Sequence, residues 1–358
     1  MNDLLIYLLV ILTAIVLIFF NIVSLFVLLV TPKLRRRVSN LPIISFLIGS
    51  ALQGAIPAPL YIYKVLAHRS GNEPGWLCDI YRFQYIFCVH IMEVSIMILA
   101  LERLWAIKFP LRFSKLLNRR YVGYLLGSAW IITMIIDLLP FFKSGRRNND
   151  NCSYVPNPSW GLCVIIFYNI VPFVTVVVCY AVIWKVAFSF AIKDKRRAES
   201  LNFNYQQNQQ QSSLISANGN DGDDTTTADD HEDCCHSKVS TSSKRSYHKV
   251  LKFTLEIKAT KTSLAIAAVF LICWLPMGIF YMADHFCQNC ISDDSAFKLS
   301  RRIVKILAFS SSLLTPLVYC WWNKTFRKSA KRLLRRHASS LLSGTGGRNS
   351  SGENAFAD

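Results

Sequence analysis

Seven predominantly apolar runs, each about twenty residues or longer, leave this 358-residue chain few ways to fold. They fall at about Leu4–Val30, Ile43–Leu66, Phe83–Ile107, Tyr121–Phe142, Leu162–Phe188, Ser263–His285 and Ile303–Trp322. At about 1.5 Å rise per residue, each is long enough to cross a hydrocarbon core of roughly 30 Å as a helix. Polar residues inside the runs argue against a simple greasy anchor and for a bundle whose interior satisfies them. A chain that is 52% hydrophobic is also too apolar for a soluble domain of ordinary composition. The fold class expected is an all-α membrane protein, a seven-helix bundle.

The formal net charge of +18 is read as membrane topology rather than nucleic-acid binding. Lys33, Arg35, Arg36 and Arg37 fill the first short loop with no acid beside them. The loop after the third run carries Lys108, Arg112, Lys115, Arg119 and Arg120, again with no acid. The stretch after the seventh run carries Lys324, Arg327, Lys328, Lys331, Arg332, Arg335 and Arg336. The positive-inside rule makes these cytoplasmic, with the N-terminus outside and the C-terminus inside. Lys143, Arg146 and Arg147 on the outer side run against the trend. Met1-Asn2-Asp3 is acidic and the run after it is too long for a cleavable signal, so the first helix is expected to be its own insertion signal. Little chain precedes it, and no ectodomain able to capture a large protein ligand is expected there.

Of eleven cysteines, Cys88, Cys163, Cys179, Cys273 and Cys320 fall inside runs and are expected to pack as small hydrophobes. Cys78, Cys152, Cys287 and Cys290 fall in outer segments, where disulfides persist. A Cys78–Cys152 bridge would tie the third helix to the second outer loop, and a Cys287–Cys290 bridge would pinch the third. Zinc at the latter pair would lack two ligands. Residues 1–191 are assigned to helices one to five. Residues 192–251 pass through Gln/Asn, acidic and Ser/Lys stretches that cannot bury a core, and are expected to be a disordered third cytoplasmic loop whose basic flanks could prolong helices five and six. Cys234-Cys235-His236 within it reads as free thiols. Helices six and seven and a short amphipathic eighth helix occupy 252–336, and 337–358 is expected to be a disordered tail. Asn151-Cys152-Ser153 is a glycosylation sequon.

Glu102-Arg103 closes the third run, twenty-five positions after Cys78. That separation is roughly 37 Å along a helix. One helix therefore carries a cysteine at one membrane face and an ion-pairing arginine at the other. Proline punctuates five runs, at Pro59, Pro140, Pro172, Pro276 and Pro316. Each removes an amide donor and invites a kink.

With Asn21, Trp76-Leu77-Cys78, Glu102-Arg103-Leu104, Pro110-Leu111, Trp130, Pro172, Tyr180, Phe270, Cys273-Trp274-Leu275-Pro276, Thr315-Pro316-Leu317-Val318-Tyr319 and Asn323-Lys324-Thr325-Phe326-Arg327 in order, the chain resembles the rhodopsin-like (class A) G-protein-coupled receptors. The resemblance implies a multi-pass plasma-membrane receptor. An outer ligand would open an inner cleft, and a heterotrimeric G protein would dock there. Arg103 would pair with Glu256 at the inner end of the sixth helix while inactive, with Glu102 as its neighbour. Trp274, before the kinking Pro276, would relay the ligand, while Tyr180 and Tyr319 would stabilise the open state. Arrestin and receptor kinases are expected to act on Ser339, Ser340, Ser343, Ser350 and Ser351, or on Ser240, Ser242 and Ser243.

The chain also departs from the family. Its second-helix acid is Ser50 here, a third-helix serine is Met92 and the seventh-helix asparagine is Thr315, which argues against sodium bound in the family's way. Leu104 follows the arginine in place of tyrosine. His90 and Glu93 share a face inside the third helix, where ionisable residues are functional candidates; the bland alternative is a protonated glutamic acid that only packs.

Amine receptors of the family carry aspartate at the place of Tyr85, and opsins a retinal-binding lysine at the place of Phe309. Lys305, one turn outward, leaves an opsin-like reading open. Lys64, Arg82, Arg301 and Lys305 near the outer ends would attract an anionic small molecule or short peptide if they point inward; otherwise they snorkel to headgroups. No nucleophile–base pair, cofactor-binding pattern or metal-ligand spacing argues for an enzyme. The alternatives are an ion or solute transporter or channel using His90, Glu93 and Asp137, and a decoy receptor that does not couple. Seven helices without an inverted repeat speak against transport.

Overall fold

The computed structural model describes residues 3–69, 75–109, 118–142, 147–148, 153–154, 158–217, 241–286 and 295–345. Among them seven helical segments are long and apolar enough to cross a membrane. The first span is Asp3–Val30, followed by a short helix at Pro32–Arg35. The second is two helices, Asn40–Ala55 and Pro57–Arg69, meeting at Ile56. Pro57 has no amide to donate to the preceding turn and suits a helix's first position, so the break sits at Ile56-Pro57 rather than at Pro59. The third span is Gly75–Lys108 and the fourth Arg119–Phe142. Between the fourth and fifth, Arg147–Asn148 pairs antiparallel with Ser153–Tyr154.

The fifth span is wound in three parts: Pro158–Val164, a π-helical turn at Ile165–Ile170, and Val171–Ala217. Pro172 has no amide to offer the carbonyl one turn back. Just before it the Val171 amide bonds Ile166 O, five residues away, which marks the wider turn. The sixth span is Thr241–Phe286, with Pro276 inside it. The seventh is Ser295–Trp322, containing Pro316, and Lys324–Thr345 follows it.

Two helices run further than composition alone suggests. The fifth continues through 192–217 and the sixth begins at Thr241, so much of the stretch expected to be disordered is helical. No glycine or proline interrupts the chain between Ile192 and Ala217, and Lys, Arg, Gln and Glu are good helix formers. Lys195 and Glu199 add an exposed i,i+4 pair at 3.9 Å. Inability to bury a core does not prevent a helix from extending beyond one. Likewise the last helix passes Arg336 and ends at Thr345, beside its first glycine, Gly344. Residues 218–240 and 346–358, with Cys234, Cys235, His236, Ser350 and Ser351, lie outside the described residues.

The third span is the central post. Its apolar segment is 72% buried, against 22% for the fourth. Phe46, Met92, Ile96, Leu99, Ile266 and Ala308 form the core between the second, third, sixth and seventh spans. The outward faces carry Ile131, Ile135, Phe167, Ile272 and Ile306, all well exposed and suited to lipid. Lipid is as apolar as these side chains, so close packing and polar links must hold the helices together. Gly49 and Gly54 supply the packing. A Cβ at Gly54 would lie 2.8 Å from Leu17 Cδ2, and one at Gly49 would lie 3.3 Å from Ile91 and Met92. Polar links join three spans near Ser45. The Trp130 indole N–H donates to Ser45 Oγ at 2.9 Å, and the Ser45 and Ser95 hydroxyls bond at 2.8 Å.

Candidate functional site

At one end of the bundle Arg103 is almost fully enclosed. Its Nε and Nη2 donate to the two carboxylate oxygens of Glu102 at 2.6 and 2.9 Å, a fork-on-fork pair. Glu102 Oε1 also accepts from Ser39 Oγ at 2.8 Å. Arg103 Nη1 reaches Glu256 Oε2 on the sixth span at 3.5 Å, where the glutamate side chain is 25% exposed. The order of strength therefore differs from the expectation. Glu102 is the tight partner and Glu256 the loose one, because Glu102 is desolvated on the same helix whereas Glu256 sits at a partly wet rim. Tyr180 is buried nearby, with Ser263 and Arg103 among its neighbours.

Tyr319, at the same end of the seventh span, points elsewhere. Its hydroxyl donates to Asn40 Oδ1 at 3.2 Å, and Asn40 Nδ2 donates to Leu34 O at 2.8 Å. Its ring meets Phe326 edge-on at 5.3 Å. Phe326, Ser329, Ala330 and Leu333 turn one face of the last helix inward while Lys328, Lys331, Arg332 and Arg335 stay exposed. The Arg103 end thus couples the second, third, sixth and seventh spans through a handful of polar bonds, and the last helix through the Tyr319–Phe326 ring contact.

Mid-bundle, a polar belt surrounds Ser312. Asn21 Nδ2 and Ser50 Oγ both donate to Ser312 O, at 3.1 and 3.0 Å. Ser312 Oγ donates to Gln53 Oε1 at 2.6 Å, with Met92 Sδ 3.6 Å away. Thr315 is buried beside them. This set offers amides, hydroxyls and a thioether but no carboxylate to a cation, and among the described residues no three His, Cys, Asp or Glu side chains cluster to hold a metal. Trp274 joins the belt from the sixth span, its Nε1–H donating to Ser311 Oγ at 2.8 Å. Its ring stacks on Phe270 at 5.9 Å.

A second polar group lies between the third, fourth and fifth spans. His90 Nδ1 contacts both oxygens of Asp137 at 2.9 and 3.1 Å. The Tyr168 ring stacks on His90 at 4.0 Å, and its hydroxyl donates to Thr133 at 3.1 Å. His90 and Glu93 share a helix face, yet His90 is engaged by Asp137. Beside them a cavity of about 240 Å³ opens between the third, fifth and sixth spans, lined in part by Glu93, Tyr168, Asn169 and Trp274.

Towards the other end the places of the amine-binding aspartate and the retinal-binding lysine are filled by an aromatic pair. The Tyr85 and Phe309 rings lie 5.6 Å apart, and the ladder continues through Tyr81 to Tyr61. Lys305 is exposed and Arg82 half-buried. Lys64, Arg301 and Cys78 are helical, but their side chains lie outside the described residues, as do Asn151, Cys152, Cys287 and Cys290 altogether. Cys88, Cys179 and Cys273 are buried free thiols, whereas Cys163 faces outward. Ser39, Asn40, Gln53, Thr133 and Ser311 were missed. Gln53 carried a signal, a polar side chain one turn beyond Ser50 within an apolar run.

A seven-helix bundle with a buried ion pair at one end, a polar belt across its middle and a kinked sixth span is the architecture of a transmembrane receptor. Residues 20–319 match the sequence model of the 7 transmembrane receptor (rhodopsin family), and the chain belongs to that family. It is a receptor rather than an enzyme, and a multi-pass protein of the plasma membrane. It is 24% identical over 327 residues to the D(1B) dopamine receptor of Xenopus laevis, covering 84% of this chain and 63% of that one. It is 22% identical over 309 residues to octopamine receptor beta-2R of Drosophila melanogaster, with 84% and 55% covered. To 5-hydroxytryptamine receptor 1F of Rattus norvegicus it is 23% identical over 329 residues, with 86% of each covered. The chain thus spans less than two thirds of the length of the first two.

Proposed function

We propose that the chain turns binding of a small extracellular ligand into activation of a heterotrimeric G protein, by moving the sixth span away from Arg103. The N-terminus lies outside, and the Arg103 end faces the cytoplasm. The observation that carries this reading is the asymmetric clamp on Arg103, tight to Glu102 and loose to Glu256. A loose interhelical contact is one a modest ligand binding energy can break, shifting a two-state equilibrium. Arrestin and receptor kinases act on Ser339, which is exposed on the last helix, and on the other serines of the tail and of the loop between the fifth and sixth spans.

The ligand is held differently from the amines named for the relatives. The place of their aspartate is Tyr85, packed on Phe309. Arg82 and Lys305, with Lys64 and Arg301, give the outer end a basic character that favours an anionic small molecule or short peptide. Transport is the poorer reading, because His90 and Asp137 are spent on each other within the bundle.

The test is G-protein activation in cells expressing the chain, across the G-protein classes, with and without a pool of small anionic metabolites and lipids. Activation that Arg103→Ala abolishes at equal surface expression is expected. Solute flux that survives Arg103→Ala would replace this reading with transport.

A further inference from the structure

The cavity beside Glu93 has features that neither G-protein coupling nor the outer basic residues use. Glu93 is only 6% exposed, and among the described residues its Oε2 has no hydrogen-bond partner. A buried acceptor left unmade is costly, more so when the group can carry charge. Neighbouring groups do not relieve it. His90 Nδ1 is bonded to Asp137, and the Tyr168 hydroxyl donates to Thr133. The neighbouring histidine is thus held by Asp137, and Glu93 Oε2 is left for a donor that a ligand could bring.

The cavity's mouth indicates where a ligand comes from. Four residues that line it, Ile170, Val174, Leu275 and Ile279, are also 41–52% exposed on the outward faces of the fifth and sixth spans. The opening therefore lies between those spans, at the level of the bilayer's hydrocarbon. The π-helical turn at Ile165–Ile170 widens the fifth span there. Gly278 leaves space on the sixth. A Cβ at Gly278 would meet only Asn169 Oδ1, at 3.8 Å, so close helix packing does not require this glycine. At about 240 Å³ the space falls below the roughly 300–1,000 Å³ of drug-sized sites and suits a small head on a thin apolar body.

We propose that this cavity is a ligand site entered from the bilayer, for an aliphatic amine whose ammonium head donates to Glu93 Oε2 while its hydrocarbon chain lies between the fifth and sixth spans. The apolar walls take the chain and the carboxyl selects the head. An occupant would also touch Trp274 and wedge the sixth span beside its Pro276 kink, so it would act on the same moving helix from the side. The site does not depend on the outer ligand or on G-protein coupling.

The experiment uses the full chain in lipid nanodiscs and a diazirine-bearing octylamine as photolabel. Saturable labelling of peptides within 165–176 or 270–282 is expected, displaced by octylamine and not by octanoic acid. Glu93→Gln should weaken labelling at least ~10-fold, the order of a lost charge-assisted hydrogen bond. Gly278→Phe should abolish it by filling the space. Without the label, Glu93→Gln should unfold at the same temperature as the parent or higher, since it removes an unmatched acid, whereas a purely structural Glu93 would lower it. Labelling that does not saturate, equal displacement by octanoic acid, or labelling unchanged in Glu93→Gln would overturn the proposal. The displacement arm needs no variant, so it decides the matter even where a variant fails to fold.

Discussion

Glu102→Gln should release Arg103 more than Glu256→Gln does, although only Glu256 lies across a helix interface. Glu102 makes two bonds to the guanidinium, at 2.6 and 2.9 Å, with both side chains nearly inaccessible. Hydrogen bonds to charged groups contribute about 1.5–3 kcal/mol and neutral ones about 1 kcal/mol. Glutamine keeps one acceptor oxygen but turns an NH2 donor towards the other guanidinium nitrogen, so one charge-assisted bond is lost outright, at about 2 kcal/mol. At 1.4 kcal/mol per factor of ten, that is roughly 30-fold in the balance between held and released arginine. The Glu256 contact is longer, at 3.5 Å, and a quarter exposed. Pairs of that kind contribute about 0–1 kcal/mol, at most roughly 5-fold. The assay is ligand-independent loading of a non-hydrolysable GTP analogue onto G protein, normalised to receptor at the cell surface. A clear rise for Glu102→Gln and a small one for Glu256→Gln are expected. Equal rises, or a larger one for Glu256→Gln, would refute the reasoning that desolvation and geometry rank the two partners.

Ser45→Ala should lower the thermal midpoint of the purified chain, because it strands the Trp130 indole N–H that now bonds Ser45 at 2.9 Å. The cost is about 1–3 kcal/mol, and adding Trp130→Phe should recover part of it. Gly54→Leu should abolish surface expression, since a Cβ alone already comes within 2.8 Å of Leu17; confocal imaging with surface labelling checks this. Phe326→Ala should undock the last helix from Tyr319 at a cost of about 3–5 kcal/mol, read as faster hydrogen exchange over 324–333.

What was legible in the sequence follows from which forces act locally. The seven spans declare themselves because membrane burial demands about twenty apolar residues in a row. Arg103 stands out because a charge at the end of such a run is conspicuous. Its preferred partner was not legible: Glu102 and Glu256 are the same residue type, and depth of burial, which ranks them, is a property of the packed bundle. The same holds for Tyr319 on Asn40, 279 positions away, and Ser312 on Gln53, 259 away. The reach of the fifth helix is not legible from hydrophobicity, because a solvated helix needs no apolar face. Over 192–217 the absence of glycine and proline is the better guide. Glu93 stands out by its position within an apolar run, but the cavity it faces depends on a π-helical turn and a glycine on two other spans.

The central claim is that the sixth span leaves the third when the chain signals. Nitroxide labels at Lys108 and Lys261, both exposed near the Arg103 end of their helices, would measure it by pulsed electron resonance. Adding nucleotide-free heterotrimeric G protein should lengthen the distance by on the order of 5 Å, the scale of known switching shifts, and Arg103→Ala should remove the change. An unaltered distance distribution in chains that demonstrably bind the G protein would contradict the account.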